Sequence, residues 1–165
     1  RIPIFCDTTS CTHTLLFETG GDILTPENRE KYKQLKIMDI TQWLKEVVLP
    51  RIKVIRPKNR ILLHPTCSCQ IMGLTPVLLD IARKCAREVI LPDNWGCCGA
   101  SGDRGFIFPE LSDSATRDER DEIGHESFDG CYSLARTCEI AMQDHIEQPY
   151  ESIVYLVDET IQDGT

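Results

Sequence analysis

The sequence has no apolar run long enough to cross a membrane, and basic residues are in short supply. No stretch approaches the ~20 consecutive apolar residues of a transmembrane helix, which argues against an integral membrane protein. Eighteen basic residues stand against 26 acidic ones, and the formal net charge is -8. Nucleic-acid binding draws its affinity from basic side chains that release counterions from phosphates. We therefore expect no nucleic-acid partner.

A starting methionine, a signal peptide and the common nucleotide and dithiol motifs are also missing. The chain opens with Arg1-Ile2-Pro3-Ile4 and has neither a G-x-G-x-x-G loop nor a C-x-x-C pair. The opening predicts a piece of a longer protein that is not secreted. The missing motifs argue against a dinucleotide-binding enzyme and against a thioredoxin-like enzyme.

Cysteine is the residue in excess. Nine cysteines occur among 165 residues, at positions 6, 11, 67, 69, 85, 97, 98, 131 and 138. The odd number and the missing secretory segment argue against a secreted scaffold held by disulfides. Because the chain has only four histidines, a metal centre would be bound mainly by sulfur. Sulfur ligands favour zinc or an iron–sulfur cluster in a reducing compartment.

Strand-like and helix-like segments alternate from residue 60 onward, which predicts an α/β fold built on a parallel sheet. The strand-like segments are residues 60–64, 88–92 and 127–133, and the helical segments are residues 75–85, 109–122 and 136–146. Residues 152–161 suit either state. Upstream, residues 2–6 are strand-like, and apolar residues near helical spacing predict a helix over residues 32–49.

In parallel α/β sheets, ligand sites form in the loops that follow the carboxyl ends of the strands. Cys67 follows one predicted strand, and the vicinal pair Cys97-Cys98 follows the next. Glycine stands at every third position from Gly96 to Gly105, so this loop can turn backbone N–H groups toward an anion. The thiolates and sulfides of a metal cluster are such an anion. The alternative is a glycine-rich turn that holds two buried thiols.

Several motifs, in order, resemble the cysteine-rich CCG domain. They are His64-Pro65-Thr66-Cys67, Gly96-Cys97-Cys98-Gly99 with the residues up to 106, Pro109-Glu110-Leu111, residues 133–140 and residues 150–158. This domain occurs in heterodisulfide reductases, in the iron–sulfur component of glycolate oxidase and in large FAD-linked D-lactate dehydrogenases. The motifs are most similar to the C-terminal end of the last group. The resemblance implies an α/β, parallel-sheet CCG-type domain, with residues 1–50 as the tail of a truncated first repeat and residues 60–165 as a complete second repeat.

The resemblance also implies a set of ligands. The metal ligands that it implies are Cys67, Cys97, Cys98 and Cys138, and the cofactor-binding positions expected in the glycine loop are Gly96, Gly99, Gly102 and Arg104. The last element of the family is usually C-x-x-C, but Ala135 stands three residues before Cys138. A fifth thiolate, as in the heterodisulfide reductase relatives, would have to come from Cys131. Four thiolates suit an ordinary iron–sulfur cluster or a zinc ion.

From this resemblance we expect an iron–sulfur-binding electron-transfer module of an FAD-dependent dehydrogenase for D-lactate or a related D-2-hydroxy acid. FAD and ferredoxin-type clusters would lie in upstream domains of the same polypeptide, and this segment alone would be inactive. The alternative is a structural module, with zinc or without metal, that docks the FAD domain to its partners. We expect a cytoplasmic enzyme, and a peripheral association of the full enzyme with the inner face of the membrane stays open.

Other cysteines and polar residues are expected to have lesser roles. Cys85 lies on the apolar face of the helix that begins at Thr75 and is expected to be a core residue. His64 is held extended by the following proline and would be a ligand, a partner of a sulfur atom or a structural histidine. Cys69 is a less favoured ligand candidate than Cys67. The acidic residues 118–122 are expected to form a solvated helix face.

Overall fold

The computed structural model describes residues 3–19 and 23–161, which contain two sheets of parallel strands. The smaller sheet pairs β1 (Ile4–Cys6) with β2 (Ile37–Asp39). The strands of the larger sheet are β3 (Lys58–Leu63), β4 (Ala86–Ile90), β5 (Gly130–Ser133) and β6 (Tyr150–Ser152). Their order is β4-β3-β5-β6, and all three pairings are parallel. The predicted α/β fold on parallel sheets is therefore confirmed.

Helices connect these strands and cover the larger sheet. In the described residues they are α1 (Thr9–His13), α2 (Pro26–Tyr32), α3 (Ile40–Trp43), α4 (Cys67–Ile71), α5 (Thr75–Cys85), α6 (Arg104–Ile107), α7 (Pro109–Ile123), α8 (Arg136–Ile146) and α9 (Ile153–Ile161). Helix α1 continues as a π-helical turn, Thr14–Glu18, and α3 continues through a second one, Leu44–Val48. None of the helices within residues 3–19 and 23–161 has the length and apolar character needed to cross a bilayer.

The helix predicted over residues 32–49 is wrong in its first half, where the chain forms β2. Asp39 ends this strand and caps α3. Its carboxylate accepts a hydrogen bond from the Thr41 N–H at 2.9 Å, and the Asp39 N–H donates to Gln42 Oε1 at 3.2 Å. This reciprocal cap satisfies free N–H groups at the start of a helix, so the helix begins at Ile40. The first residue of the predicted strand 2–6, the start of the first predicted repeat and the end of the second lie outside the described residues.

The central strand β3 buries side chains on both faces of the larger sheet. Ile61 and Leu63 pack in one cluster with residues of α5 and α9 such as Ile81 and Leu156. Leu62 packs in the other cluster, which contains residues of α7 and α8. Successive side chains of a strand point to opposite faces, and both faces of a parallel sheet are normally covered. The sheet is therefore the middle layer between two layers of helices.

Candidate functional site

Four cysteines meet in one cavity, called here the thiol cavity, at the carboxyl ends of the parallel strands. Cys67 begins α4 soon after β3, and Cys97 and Cys98 stand in the loop after β4. Cys138 lies in the first turn of α8, which follows β5. All four line a cavity of about 240 Å³ together with small residues such as Thr66. Sequence position anticipated the grouping of Cys67, Cys97 and Cys98, and the motif resemblance added Cys138, while the role of these thiols as metal ligands stays a prediction.

The side chains of the four thiols follow one another in a row. The side chain of Cys67 interacts with that of Cys97, and the side chain of Cys97 interacts with that of Cys98. Cys98 then donates to Cys138 across an Sγ–Sγ distance of 2.9 Å. Cys67 and Cys97 are exposed, whereas Cys98 and Cys138 are buried. The chain of thiols therefore runs from the surface into the protein.

Hydrogen bonding and burial favour the protonated form of Cys67, Cys97 and Cys98. The hydrogen bond to Cys138 is the main cause that raises the pKa of Cys98 to about 12. The hydrogen bond to Cys98 is the main cause that raises the pKa of Cys97, and burial is the main cause that raises the pKa of Cys67. The thiolate is the form that binds metal. A metal bound here would therefore have to displace protons.

Backbone N–H groups of the glycine loop point at two of the sulfur atoms. The Gly99 N–H donates to Cys97 Sγ at 3.4 Å, and the Ala100 N–H donates to Cys98 Sγ. A hydrogen bond to the charged form of a group favours that form, so both bonds oppose part of the rise in pKa of the two thiols. The loop thus presents to the sulfur atoms the donors that also stabilise the sulfur of a metal cluster.

Two of the predicted glycines have a structural reason to be glycine. Gly99 has a φ of +73°, and a Cβ built there would lie 2.6 Å from the carbonyl oxygen of Leu111. Gly102 has a φ of +76° and lines the thiol cavity. Gly96 has no atom within 4 Å of a built Cβ, and Arg104 is exposed at the start of α6. Neither Gly96 nor Arg104 is among the residues that line the thiol cavity.

The structure places Cys131, the candidate fifth ligand, in the core beside the cavity. It pairs in register with Leu62 and Tyr150 across the sheet and is 2% exposed. Burial raises its pKa to about 12, and it is not among the residues that line the thiol cavity. Cys69 and Cys85 are buried in the cluster on the opposite face of the sheet. The core position predicted for Cys85 is therefore confirmed.

Sequence reasoning missed the partner of His64. Its Nδ1 lies 3.1 Å from Oε2 of Glu119 on α7, and the two side chains are 1% and 2% exposed. The expectation that residues 118–122 form a solvated face is therefore wrong at Glu119. Helical spacing is the sequence feature that could have revealed the burial of Glu119, since the buried residues of α7 lie three or four positions apart on one face. They are Ser112, Thr116, Glu119 and Ile123.

A polar cavity of about 480 Å³, also missed, lies beside the first turn of α8. Its charged lining residues are Asp7, Arg136, Glu139 and Glu151. Arg136 Nη1 lies 3.1 Å from Glu139 Oε2. Burial is the main cause that raises the pKa of Glu139, and the nearby guanidinium opposes this rise. Arg136 and Glu139 flank Cys138 in the chain, so the same helical turn borders both cavities.

The thiol cavity offers sulfur donors, but they are not already arranged around a metal ion. In the described residues no group of three or more histidine, cysteine, aspartate or glutamate side chains could hold one. Two thiolates bound at ~2.3 Å to one tetrahedral zinc ion lie about 3.8 Å apart. The 2.9 Å contact between Cys98 and Cys138 is shorter. Four thiols are suitable donors for a sulfur-ligated group. Binding of such a group would require the sulfur atoms of Cys98 and Cys138 to separate.

Comparison of the chain with models of known protein families gave no match, and comparison with curated proteins gave none either. Function is therefore inferred from the residues themselves and from the motifs that they form.

Proposed function

We propose that this chain is an iron–sulfur-binding electron-transfer module of an FAD-dependent dehydrogenase for D-lactate or a related D-2-hydroxy acid. The observation that carries the proposal is the cavity shared by Cys67, Cys97, Cys98 and Cys138. The CCG motifs mark the same four cysteines as ligands. Position in the fold and order of motifs thus point to one set of thiols among the nine in the chain.

The four thiols would hold the group, and the loop would supply N–H donors to the anionic sulfur atoms from Gly99 and Ala100. An iron–sulfur cluster accepts and passes on single electrons at a potential that depends on hydrogen bonds to sulfur and on burial. Cys98 and Cys138 bring burial, while Cys67 and Cys97 remain exposed. The protein would therefore set both the position of the cluster and its exposure to solvent.

A structural zinc ion is the second candidate, because four thiolates are also a complete tetrahedral set. The adjacent positions of Cys97 and Cys98 favour the cluster. Neighbouring cysteines on a tight turn reach two metal atoms of a cluster more easily than they chelate one ion. A zinc-bound form would support the other expectation, a module that docks the FAD domain to its partners.

The partners in this proposal are the FAD and ferredoxin-type domains of the same polypeptide. These domains would oxidise the hydroxy acid and deliver electrons. The cluster in the thiol cavity would then pass the electrons on to an acceptor. The proposal places the enzyme in a reducing compartment such as the cytoplasm, where thiols remain available as ligands.

Metal analysis after reconstitution tests the proposal. The chain is incubated without oxygen with iron and sulfide, desalted, and assayed for iron, labile sulfide and zinc. We expect iron and sulfide in the parent and their loss in Cys98→Ser. Cys85→Ser is the matched control, because Cys85 is equally buried and the Thr160 hydroxyl lies within hydrogen-bond reach of its side chain.

Equal loss of iron in both variants, or no iron in the parent, would contradict the cluster proposal. One zinc ion per parent chain without sulfide would support the structural alternative. An electron paramagnetic resonance signal that appears on reduction of the reconstituted parent would support electron transfer.

A further inference from the structure

Cys98 and Cys138 are closer to each other than a shared metal would place them. Their sulfur atoms lie 2.9 Å apart, about 0.9 Å more than the ~2.05 Å bond of a disulfide. The two residues belong to different segments, the glycine loop and the first turn of α8. Both sit in the same buried cluster, with Ala100 and Ala135. Packing, and not sequence proximity, therefore brings the pair together.

We propose that the chain, when it carries no metal, forms a disulfide between Cys98 and Cys138 by exchange with a small disulfide. The thiol cavity is the place of reaction, since both sulfur atoms line it and its volume is about 240 Å³. The oxidised form would fasten the glycine loop to α8. The site would then serve a second chemistry, the storage of two electrons in a dithiol.

The other adjacent thiol pairs are less suited to this bond. A disulfide between the neighbours Cys97 and Cys98 would close a small distorted ring, because its Cα atoms are separated by only one peptide bond. Cys67 and Cys97 are exposed, so a bond between them stays open to reduction. The Cys98–Cys138 bond would instead lie where both residues are at most 8% exposed.

The exchange is balanced in sulfur, electrons and protons. One of the two thiols, as thiolate, attacks a sulfur atom of the small disulfide, and the first small thiol leaves. The second cysteine then attacks the mixed disulfide, and the second small thiol leaves. Two cysteine S–H bonds and one S–S bond break, one S–S bond forms, and the two protons end on the released thiols. The protein is oxidised by two electrons, and the small disulfide is reduced by two.

This inference does not depend on the proposed function, although it uses two of the same thiols. A bound metal would hold these sulfur atoms as thiolate ligands and prevent the bond. The two chemistries are therefore alternatives at one site, and each can be measured without the other.

Peptide mapping tests the disulfide. The full chain is treated with a chelator and a reductant, freed of both, and exposed to 2-hydroxyethyl disulfide near neutral pH. Free thiols are then alkylated, and the protein is cut with trypsin. Trypsin releases residues 88–104 with Cys97 and Cys98, residues 121–136 with Cys131, and residues 137–165 with Cys138. We expect residues 88–104 joined to residues 137–165 as the main linked product.

Three variants identify the sulfur atoms. Cys97→Ser leaves Cys98 as the one cysteine of residues 88–104, and we expect the link to remain. Cys138→Ser should abolish it. Cys131→Ser is the matched control, since Cys131 belongs to the same buried cluster without lining the thiol cavity, and its link should be unchanged.

Loss of the link in Cys97→Ser would overturn the proposal, because Cys97 would then be the partner of Cys138. Fully alkylated thiols would overturn it as well. A mixture of cysteine pairings like the one formed by the chain oxidised in guanidinium chloride would also overturn the proposal, because that chain is unfolded. Iron and sulfide are measured on a separate portion. A chain that binds a cluster but forms no link would leave the proposed function standing, and a chain that forms the link but binds no metal would leave this inference standing.

Discussion

The imidazole of His64 and the carboxylate of Glu119 form a buried pair that ties the end of β3 to α7, with 3.1 Å between Nδ1 and Oε2. The main chain of His64 is also held, because its N–H donates to the Tyr132 carbonyl at 3.0 Å and its carbonyl accepts from the Ser133 hydroxyl at 2.9 Å. Cys67 follows only three residues later. The segment that carries this thiol therefore starts from a position fixed by both neighbours, β5 and α7.

We expect Glu119→Ala to lower the free energy of unfolding by about 1–3 kcal/mol, because the change leaves a nitrogen of the buried His64 ring without its partner. Asp118→Ala is the control, since Asp118 is exposed on the same helix and should shift stability by no more than about 0.5 kcal/mol. Urea denaturation of the two variants and the parent measures both effects. Equal midpoints for the two variants would show that the pair contributes nothing.

We expect Gly99→Ala to destabilise the chain by about 2–4 kcal/mol, through a left-handed backbone and the overlap of a new Cβ with α7. The built Cβ lies 2.6 Å from the Leu111 carbonyl oxygen. Gly96→Ala is matched to it, being in the same loop with no atom within 4 Å of its built Cβ. Thermal unfolding should separate the two, and a similar loss in both would contradict the close approach of the loop to α7.

We expect the stability of the reduced chain to fall as the pH rises from about 9 to about 12. Burial raises the pKa of Cys69 from 9.0 to about 12, so the unfolded chain releases this proton before the folded chain does. Stability is then complete below the unfolded pKa and declines as the pH climbs toward the folded one. Urea titrations at several pH values measure the decline, and it should be smaller in Cys69→Ala. A decline of the same size in that variant would rule out this thiol as a source.

We expect the isolated chain not to oxidise D-lactate. It has no G-x-G-x-x-G loop, and the proposed function assigns hydroxy-acid oxidation to FAD in other domains. An assay with D-lactate, added FAD and an artificial electron acceptor tests this expectation. Turnover above that of the mixture without protein would refute it.

Local patterns in the sequence were sufficient for the longer helices and for the grouping of thiols. The predicted helix over residues 136–146 coincides with α8, because its apolar spacing extends over three turns. Cys67, Cys97 and Cys98 could be brought together because parallel strands end at the same edge of a sheet. The motif resemblance added Cys138, which no local pattern marked.

The remaining features depend on contacts between distant residues or on segments too short to be recognised in the sequence. Strand β2 has three residues, too few to stand out among the apolar positions that follow, although the Asp39 and Gln42 cap was visible in the sequence. The partner of His64 stands 55 positions away, inside a run of charged residues. Helical spacing places Glu119 on one face of α7 with Ser112 and Thr116, and the packing of α7 on the sheet makes that face the buried one.

The two faces of the larger sheet carry two separate buried clusters, and the thiols Cys98 and Cys138 belong to only one of them. Cys98 and Cys138 share a buried cluster with Ile123 and Met142, on the side of α7 and α8, whereas α5 and α9 pack on the other side. We therefore expect a change in what the thiol cavity holds to alter amide hydrogen exchange in α7 and α8 more than in α5 and α9. Substitutions in α5 and α9 are accordingly expected to change the stability of the fold more than the chemistry of the cavity.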